Sequence, residues 1–122
     1  MPAVLIVDDD HAFRIALRTL FEEDSGFDDC VEAANASEAL NKSKQLSPNL
    51  AVVDFSMPEM NGLQLARELK ARQPALPIFM LTADYDADIE KEALAFGITA
   101  VFSKLDDLTT LIANARVVCG LE

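Results

Sequence analysis

Short apolar runs alternate with amphipathic stretches along the whole chain. Five apolar runs predict β-strands over residues 3–7, 29–32, 50–53, 77–81 and 100–102. Several of these runs are continuously apolar rather than alternating with polar residues, which is typical of parallel strands covered on both faces. The pattern therefore predicts a parallel sheet with helices packed on each side.

The stretches between the strands carry helical signals. Apolar residues recur at the spacing of one helical face at Phe13, Ala16, Leu17, Leu20 and Phe21, and again at Leu108, Leu111, Ile112 and Ala115. Asn35, followed by Glu38 three residues later, resembles a capping box ahead of the second helix. Gly97 is placed to end the fourth helix in the left-handed backbone conformation.

Regular alternation of strands and helices with short connections predicts a doubly wound α/β sandwich with right-handed crossovers. We expect a five-stranded parallel sheet in the order 2-1-3-4-5, and a single domain over residues 1–122. In that order the second strand lies at an edge and the other four are contiguous. Ligands of open α/β sheets bind beyond the carboxyl ends of the strands, so the residues directly after each strand are the candidates for function.

The charge composition narrows the range of functions. The chain has 21 Asp and Glu residues against 10 Lys and Arg, a net charge of −11, and such a surface repels the phosphate backbone of nucleic acids. We therefore expect no direct binding of nucleic acid by this chain. Its apolar runs are far shorter than the roughly 20 residues of a membrane span, and no secretory signal is visible. The default expectation is a cytoplasmic protein with Cys30 and Cys119 as reduced thiols.

Polar residues follow four of the five predicted strands. They are Asp8, Asp9 and Asp10 after the first strand, Asp54 after the third, Thr82 after the fourth and Lys104 after the fifth. Capping of the first helix explains one of the three adjacent aspartates, but not all three. Gathered carboxylates repel one another unless a cation compensates, and such a cluster suits Mg²⁺. Zinc is not expected, because no His or Cys is placed to bind it.

Three of these residues together suit phosphoryl transfer. A carboxylate such as that of Asp54 can act as a nucleophile toward phosphorus and form an acyl phosphate. The reaction then needs positioning and charge neutralisation. The ammonium group of Lys104 and a bound Mg²⁺ would neutralise the phosphoryl oxygens, and the hydroxyl of Thr82 would donate a hydrogen bond to one of them.

Four motifs carry a resemblance to a known family. They are Val-Asp-Asp-Asp at 7–10, the D-x-x-M-P-x-M-x-G pattern at 54–62, Leu-Thr-Ala at 81–83 and Ser-Lys at 103–104. In this order and at these distances they resemble the receiver domains of response regulators in two-component signalling, including the chemotaxis receiver. The resemblance covers essentially the whole chain and implies a flavodoxin-like three-layer sandwich.

The resemblance also implies roles for individual residues. Asp54 matches the phosphoacceptor, and Asp8 and Asp9 match the acidic pair that binds Mg²⁺, with Asp9 as the more direct ligand. The family's third protein ligand is a backbone carbonyl, which belongs here to Ser56. Thr82 matches the switch hydroxyl and Lys104 the family's lysine. Ser56 and Asp84 occupy the positions that tune hydrolysis of the acyl phosphate.

Partners follow from the same resemblance. The implied phosphoryl donor is a phosphohistidine on a sensor histidine kinase or a phosphotransfer protein, with small acyl phosphates as substitutes. The resemblance implies that the chain is a signalling domain, not an enzyme, and that it assists its own phosphorylation and dephosphorylation. A homodimer through the face formed by helix 4, strand 5 and helix 5 is a further expectation. Residues 115–120 resemble the exit of receivers that continue into a DNA-binding output domain.

Two departures from the family keep other functions open. The family usually carries Tyr or Phe three residues before the lysine, where this chain has Val101, and often Pro after the lysine, where it has Leu105. Phe102 is expected to point to the opposite face of the sheet and to pack in the core. The loss of the aromatic residue leaves a pseudo-receiver, an interaction module with a vestigial site, as an alternative.

Two further alternatives come from other classes of protein. A phosphatase of the haloacid dehalogenase type uses a D-x-D pair after the first strand, which Asp8 and Asp10 fit, but Asp54 would be unexplained. A flavodoxin-like electron carrier needs a phosphate-binding loop after the first strand, where three aspartates would repel the phosphate.

Overall fold

The computed structural model describes residues 2–24 and 26–121. Strands and helices alternate throughout these residues. The strands are β1 Ala3–Val7, β2 Asp29–Ala33, β3 Leu50–Asp54, β4 Ile78–Thr82 and β5 Ala100–Ser103. The helices are α1 His11–Glu23, α2 Ala36–Leu46, α3 Gly62–Arg72, α4 Ala87–Ala95 and α5 Leu108–Val118. None of the described helices has both the length and the apolar character needed to cross a membrane.

The five strands form one parallel sheet in the order β2-β1-β3-β4-β5, which confirms the predicted fold and strand order. The strands β2 to β5 each reach one residue further than predicted, because the polar or small residue at the end still pairs with its neighbour. Asp54 pairs with Leu81, and Thr82 pairs with Ser103. The β4 strand begins at Ile78 rather than Pro77, since proline has no N–H to donate to a sheet.

Helices cover both faces of the sheet. Side chains that alternate along each strand enter two separate apolar clusters, one containing residues of α2, α3 and α4 and the other containing residues of α1 and α5. Val4 and Ile6 of β1 belong to the α1/α5 side, whereas Leu5 and Val7 belong to the other. The central strands β1, β3 and β4 are buried along their whole length, which explains their continuous apolar runs.

The helices α1 and α5 have narrower buried stripes than the apolar spacing predicts. In α1 only Leu17 and Phe21 are buried, and Ala16 is exposed. The helix α1 packs against one face of the sheet and against α5. Residues at the margin of its apolar face therefore remain at the surface. In α5 the buried residues are Leu111 and Ala115.

Helix ends follow the predicted signals with one correction. The Asn35 side chain accepts a hydrogen bond from the Glu38 N–H, but the Glu38 carboxylate returns to the N–H of Ala34, not of Asn35. The complete capping box lies instead at the start of α3, where Asn61 and Gln64 exchange both hydrogen bonds. Gly97, at φ +94°, follows the end of α4 as predicted.

The neighbouring residues Val101 and Phe102 point to opposite faces of β5. Val101 is buried in the cluster that contains α4. Phe102 packs on the α1/α5 side, with its ring centroid 5.1 Å from that of Phe79, as the period of a strand predicts. The ring of Phe102 therefore does not take the place of an aromatic side chain at position 101.

Candidate functional site

Three carboxylates meet at the carboxyl ends of β1 and β3. Asp8 follows β1 directly, and Asp54 is the last residue of β3. Both residues are buried, with 0% and 4% of their surface exposed, whereas Asp9 is exposed. One oxygen from each of Asp8, Asp9 and Asp54 lies within 4.8 Å of the other two. The sheet thus gathers the acidic residues that the sequence placed after two neighbouring strands.

The third adjacent aspartate, Asp10, has a structural role. Its side chain accepts a hydrogen bond from the Phe13 N–H and caps α1. It is therefore the one aspartate that capping explains. The D-x-D interpretation of Asp8 and Asp10 loses its support, because Asp10 serves the helix and is not among the gathered carboxylates.

Asp8 is held at both carboxylate oxygens. Its Oδ1 accepts a hydrogen bond of 2.9 Å from the N–H of Asp10. Its Oδ2 lies 2.6 Å from the Nζ of Lys104, an ion pair, yet among the described residues it is the buried side-chain atom that accepts no well-aligned hydrogen bond. The Lys104 ammonium group thus balances the charge of this oxygen without a well-aligned hydrogen bond, and a carboxylate oxygen of this kind can also bind a metal ion.

Lys104 reaches across the sheet to both buried carboxylates. Its ammonium nitrogen lies 3.5 Å from Asp54 Oδ2 in addition to the contact with Asp8, and 4.7 Å from the centre of the Phe13 ring. Burial works to lower the pKa of Lys104, but Asp8 first and then Asp54 outweigh it, so the pKa is raised. Lys104 therefore stays protonated and supplies a fixed positive charge beside Asp54.

The carboxyl group of Asp54 has a raised pKa and is a weaker acid than an ordinary aspartate. Burial, and then the negative charge of Asp8, raise its pKa to about 7, against the opposing influence of Lys104 and of a hydrogen bond from the Ser56 backbone. Without further positive charge the carboxyl is therefore partly protonated near neutral pH. An added cation would favour the ionised form.

The site fits a small divalent cation that prefers oxygen. Three carboxylates converge, two of them are buried, and one positive side chain does not balance them. Asp8, Asp9 and Asp54 are donors of the type that Mg²⁺ takes. The grouped acidic residues agree with the Mg²⁺ expectation, and the ligand roles of Asp8, Asp9, Asp54 and Ser56 stay predictions.

The remaining predicted residues lie at or just after the carboxyl ends of β3 and β4. Thr82 ends β4 and is buried, and its hydroxyl oxygen accepts a hydrogen bond of 3.2 Å from the N–H of Asp84. The carbonyl of Thr82 accepts a hydrogen bond of 2.8 Å from the Lys104 N–H. Ser56 and Asp84 are exposed on the loops after β3 and β4.

The loop after β3 depends on a glycine. The N–H of Gly62 donates a hydrogen bond of 2.8 Å to the carbonyl of Phe55. A Cβ atom at position 62 would lie 2.5 Å from the backbone oxygen of Asp54 and 2.9 Å from Cα of Phe55. Gly62 therefore permits the close approach that brings the start of α3 against the backbone of Asp54.

Sequence reasoning missed two residues that contact the site. Phe13 lies beneath the Lys104 ammonium group, although its position in α1 predicted only an apolar contact. Arg14 donates a hydrogen bond of 2.7 Å to the backbone carbonyl of Asp8. No motif marks Arg14, and the available signal was only a basic residue one helical turn inside α1, close to three aspartates.

Known proteins share both the sequence pattern and the fold. The pattern of the response regulator receiver domain matches residues 4–116. A relative in Pseudomonas aeruginosa is 37% identical over 118 residues, which cover 97% of this chain and 56% of the relative. The chemotaxis protein CheY of Thermotoga maritima is 34% identical over 94 residues, which cover 77% of this chain and 78% of CheY. The solved receiver domain of the Francisella response regulator 1452 superposes with a TM-score of 0.89 at 27% identity, covering 98% of both chains.

Many of these relatives are longer than the chain. It spans between 21% and 56% of the length of several curated relatives. The activities of those whole proteins therefore do not transfer with the match. The match covers the five-stranded unit with the acidic cluster at its carboxyl edge. The chain therefore belongs to the response regulator receiver domain family, the phosphoacceptor domains of two-component signalling.

Proposed function

We propose that Asp54 is the residue that accepts the phosphoryl group, from a phosphohistidine on a sensor histidine kinase or a phosphotransfer protein. A carboxylate oxygen of Asp54 forms the new bond to phosphorus while the bond between phosphorus and the histidine nitrogen breaks. The observation that carries the proposal is the position of Asp54: it is buried beside two other carboxylates and lies 3.5 Å from the Lys104 ammonium group.

The surrounding residues prepare Asp54 for this reaction. Asp8 and Asp9, with the backbone carbonyl of Ser56, would hold Mg²⁺, which when bound supplies the positive charge that keeps Asp54 ionised and neutralises the phosphoryl oxygens. Lys104 contributes a second positive charge at the same place. It is placed to move from its contact with Asp8 to an oxygen of the phosphoryl group.

Thr82 links this chemistry to a change of shape. After phosphorylation its hydroxyl turns from the Asp84 N–H toward a phosphoryl oxygen, and the loop between β4 and α4 follows. The face formed by α4, β5 and α5 then repacks, which is a population shift of a two-state element. Val101 stands where the family usually has an aromatic residue that takes part in this step. In this chain the change of shape would therefore depend on the β4–α4 loop and on α4.

The output lies with a partner or a further domain. The chain spans about half or less of several relatives, one of which is described as a putative transcriptional regulator, so we include a DNA-binding output domain among the proposed partners. A homodimer through the α4/β5/α5 face is a further proposed partner. In this proposal the chain assists its own phosphorylation and dephosphorylation, with Ser56 and Asp84 adjusting hydrolysis. The proposed compartment is the cytoplasm, where Cys30 and Cys119 would stay reduced.

The test is the intact mass of the protein after incubation with acetyl phosphate and Mg²⁺. We expect a gain of one phosphoryl group that requires Mg²⁺ and is absent in Asp54→Asn. Asp28→Asn, the same change at an exposed aspartate before the amino end of β2, should keep the gain. A phosphoryl group that persists in Asp54→Asn would move the acceptor elsewhere. No gain with acetyl phosphate or with any phosphohistidine donor would favour the pseudo-receiver.

A further inference from the structure

The side chain of Arg14 connects the acidic cluster to the edge strand of the sheet. Its Nε donates a hydrogen bond of 2.9 Å to Oε1 of Glu32 on β2, and its Nη1 donates one of 2.7 Å to the backbone carbonyl of Asp8. Its Nη2 lies 2.9 Å from Nδ1 of His11. Only 11% of the Arg14 side chain is exposed. Each of its three nitrogens thus has a partner, and these contacts orient the guanidinium group.

The backbone carbonyl of Asp8, which accepts this hydrogen bond, lies between the carboxylates of Asp8 and Asp9 along the chain. The Asp8 carbonyl lies beyond the last paired residue of β1, Val7, and before the first residue of α1. It belongs to the planar peptide unit that joins Asp8 to Asp9. Fixing this oxygen therefore fixes the orientation of one peptide plane and limits the directions in which both neighbouring carboxylates can point.

A second arginine provides a natural comparison. Arg18, one turn further along α1, donates a hydrogen bond of 2.8 Å to Oε2 of the same Glu32, and its Nε pairs with Glu22. Glu32 thus binds two arginines of α1 through its two oxygens. Arg18 pairs with Glu32 and Glu22, whereas Arg14 pairs with Glu32 and also contacts Asp8. Comparing variants of the two arginines therefore distinguishes the effect of losing a contact with β2 from the effect of losing the contact with Asp8.

We propose that Arg14 is a positioning residue for the metal site, which orients the peptide between Asp8 and Asp9 so that their carboxylates converge on Mg²⁺ with that of Asp54. The inference rests on the proposed function, because it takes this cluster as the Mg²⁺ site. Arginine suits the task because its rigid fork of donors serves Glu32 and the Asp8 carbonyl at once. A lysine has one nitrogen at the end of a flexible stem and holds the peptide less firmly.

Calorimetric titration of Mg²⁺ into the unphosphorylated protein tests the proposal without relying on phosphorylation. We expect Arg14→Ala to weaken Mg²⁺ binding by about 3- to 10-fold, at or below the low end of the range for residues that orient metal ligands. Arg14→Lys should weaken it less, and Arg18→Ala should leave the affinity within about twofold of the wild type. Circular dichroism confirms that each variant is folded, and Arg14→Lys decides the matter if Arg14→Ala does not fold.

Three results would overturn the proposal. These are an Mg²⁺ affinity of Arg14→Ala equal to that of the wild type, an equal loss in Arg18→Ala, and the absence of millimolar Mg²⁺ binding by the wild type. Failure of the proposed function is a separate observation, since a wild type that binds Mg²⁺ but gains no phosphoryl mass would refute phosphotransfer and leave the comparison of Arg14 with Arg18 intact.

Discussion

The ammonium nitrogen of Lys104 lies 2.6 Å from Asp8 Oδ2 and 3.5 Å from Asp54 Oδ2, so that in the unphosphorylated protein it is paired more closely with Asp8 than with Asp54. This pairing sets the electrostatic balance of the site. It keeps one buried carboxylate compensated, and it leaves Asp54, the proposed acceptor, with a raised pKa. Both the stability of the protein and its response to Mg²⁺ should therefore depend on Lys104.

Replacing Lys104 with Met should destabilise the protein, because two buried carboxylates lose their positive partner. The expected loss of unfolding free energy is about 2–4 kcal/mol in the absence of Mg²⁺, as for other buried ion pairs from which one member is removed. Millimolar Mg²⁺ should restore part of it and should stabilise the variant more than the wild type. Urea unfolding with and without Mg²⁺ measures both effects.

The matched control is Lys91→Met, which removes an exposed lysine from α4. Its unfolding free energy should stay within about 0.5 kcal/mol of the wild type. If Lys104→Met behaved like this control, the contact between Lys104 and Asp8 would contribute nothing to stability, and the proposed electrostatic balance of the site would be wrong.

The raised pKa of Asp54 makes stability depend on pH in a defined direction. The folded protein holds this proton up to about pH 7, whereas an ordinary Asp releases it near 3.8. Between these values the folded state binds more protons than the unfolded state, so stability falls as pH rises, at no more than about 1.4 kcal/mol per pH unit. The contribution is complete below about pH 4 and lost above about pH 7.

Urea unfolding of the wild type and Asp54→Asn between pH 5 and 8, without Mg²⁺, isolates this contribution. The wild type should lose stability relative to the variant from pH 5 to 7, and the two curves should run parallel above that range. Added Mg²⁺ should flatten the difference, because it favours the ionised carboxylate. Parallel curves over the whole range without Mg²⁺ would show that Asp54 titrates as an ordinary aspartate.

Much of the molecule could be predicted from its sequence because its strongest signals are local. Continuous apolar runs identify buried parallel strands, and parallel strands bring their carboxyl ends to one edge. With the expected strand order, Asp8, Asp54 and Lys104 could therefore be placed at the same edge of the sheet. The opposite directions of Val101 and Phe102 followed from the period of two along a strand.

What the sequence did not predict depends on long side chains and on backbone contacts. Arg14 reaches back six residues to the carbonyl of Asp8, and no periodic pattern encodes that path. Gly62 was recognised only as the last residue of the 54–62 pattern, because its contact with the backbone of Asp54 is set by how α3 meets β3. The capping box predicted at Asn35 is only half formed, because the Glu38 carboxylate accepts its hydrogen bond from the N–H of Ala34 instead of that of Asn35.

Replacing Thr82 with Ala should separate phosphorylation from the change of shape. The hydroxyl is not the nucleophile in the proposed mechanism, so Asp54 should still gain a phosphoryl mass from acetyl phosphate. The chemical shift changes of backbone amides in α4 and α5 on phosphorylation should be smaller, because nothing pulls the β4–α4 loop toward the phosphoryl group. Two-dimensional NMR before and after phosphorylation measures this response.

Thr82→Ser is the conservative control, because it keeps the hydroxyl and the hydrogen bond that Thr82 accepts from Asp84. It should respond like the wild type. Equal shift changes in Thr82→Ala and the wild type would mean that this hydroxyl does not carry the signal, and the readout would have to start from Lys104.

Gly62→Ala tests how closely the loop after β3 controls Asp54. The new Cβ would lie 2.5 Å from the backbone oxygen of Asp54, and backbone atoms cannot move aside as a flexible side chain can. We expect a loss of about 1–3 kcal/mol in unfolding free energy together with slower phosphorylation of Asp54 under conditions where the variant is fully folded. Gly120→Ala is the control: it strains a residue at φ +75° at the end of α5, with no atom within 4 Å of the added Cβ. It should lower stability without slowing phosphorylation, so a Gly62 variant that phosphorylates as fast as Gly120→Ala would show that the position of Asp54 tolerates the shift.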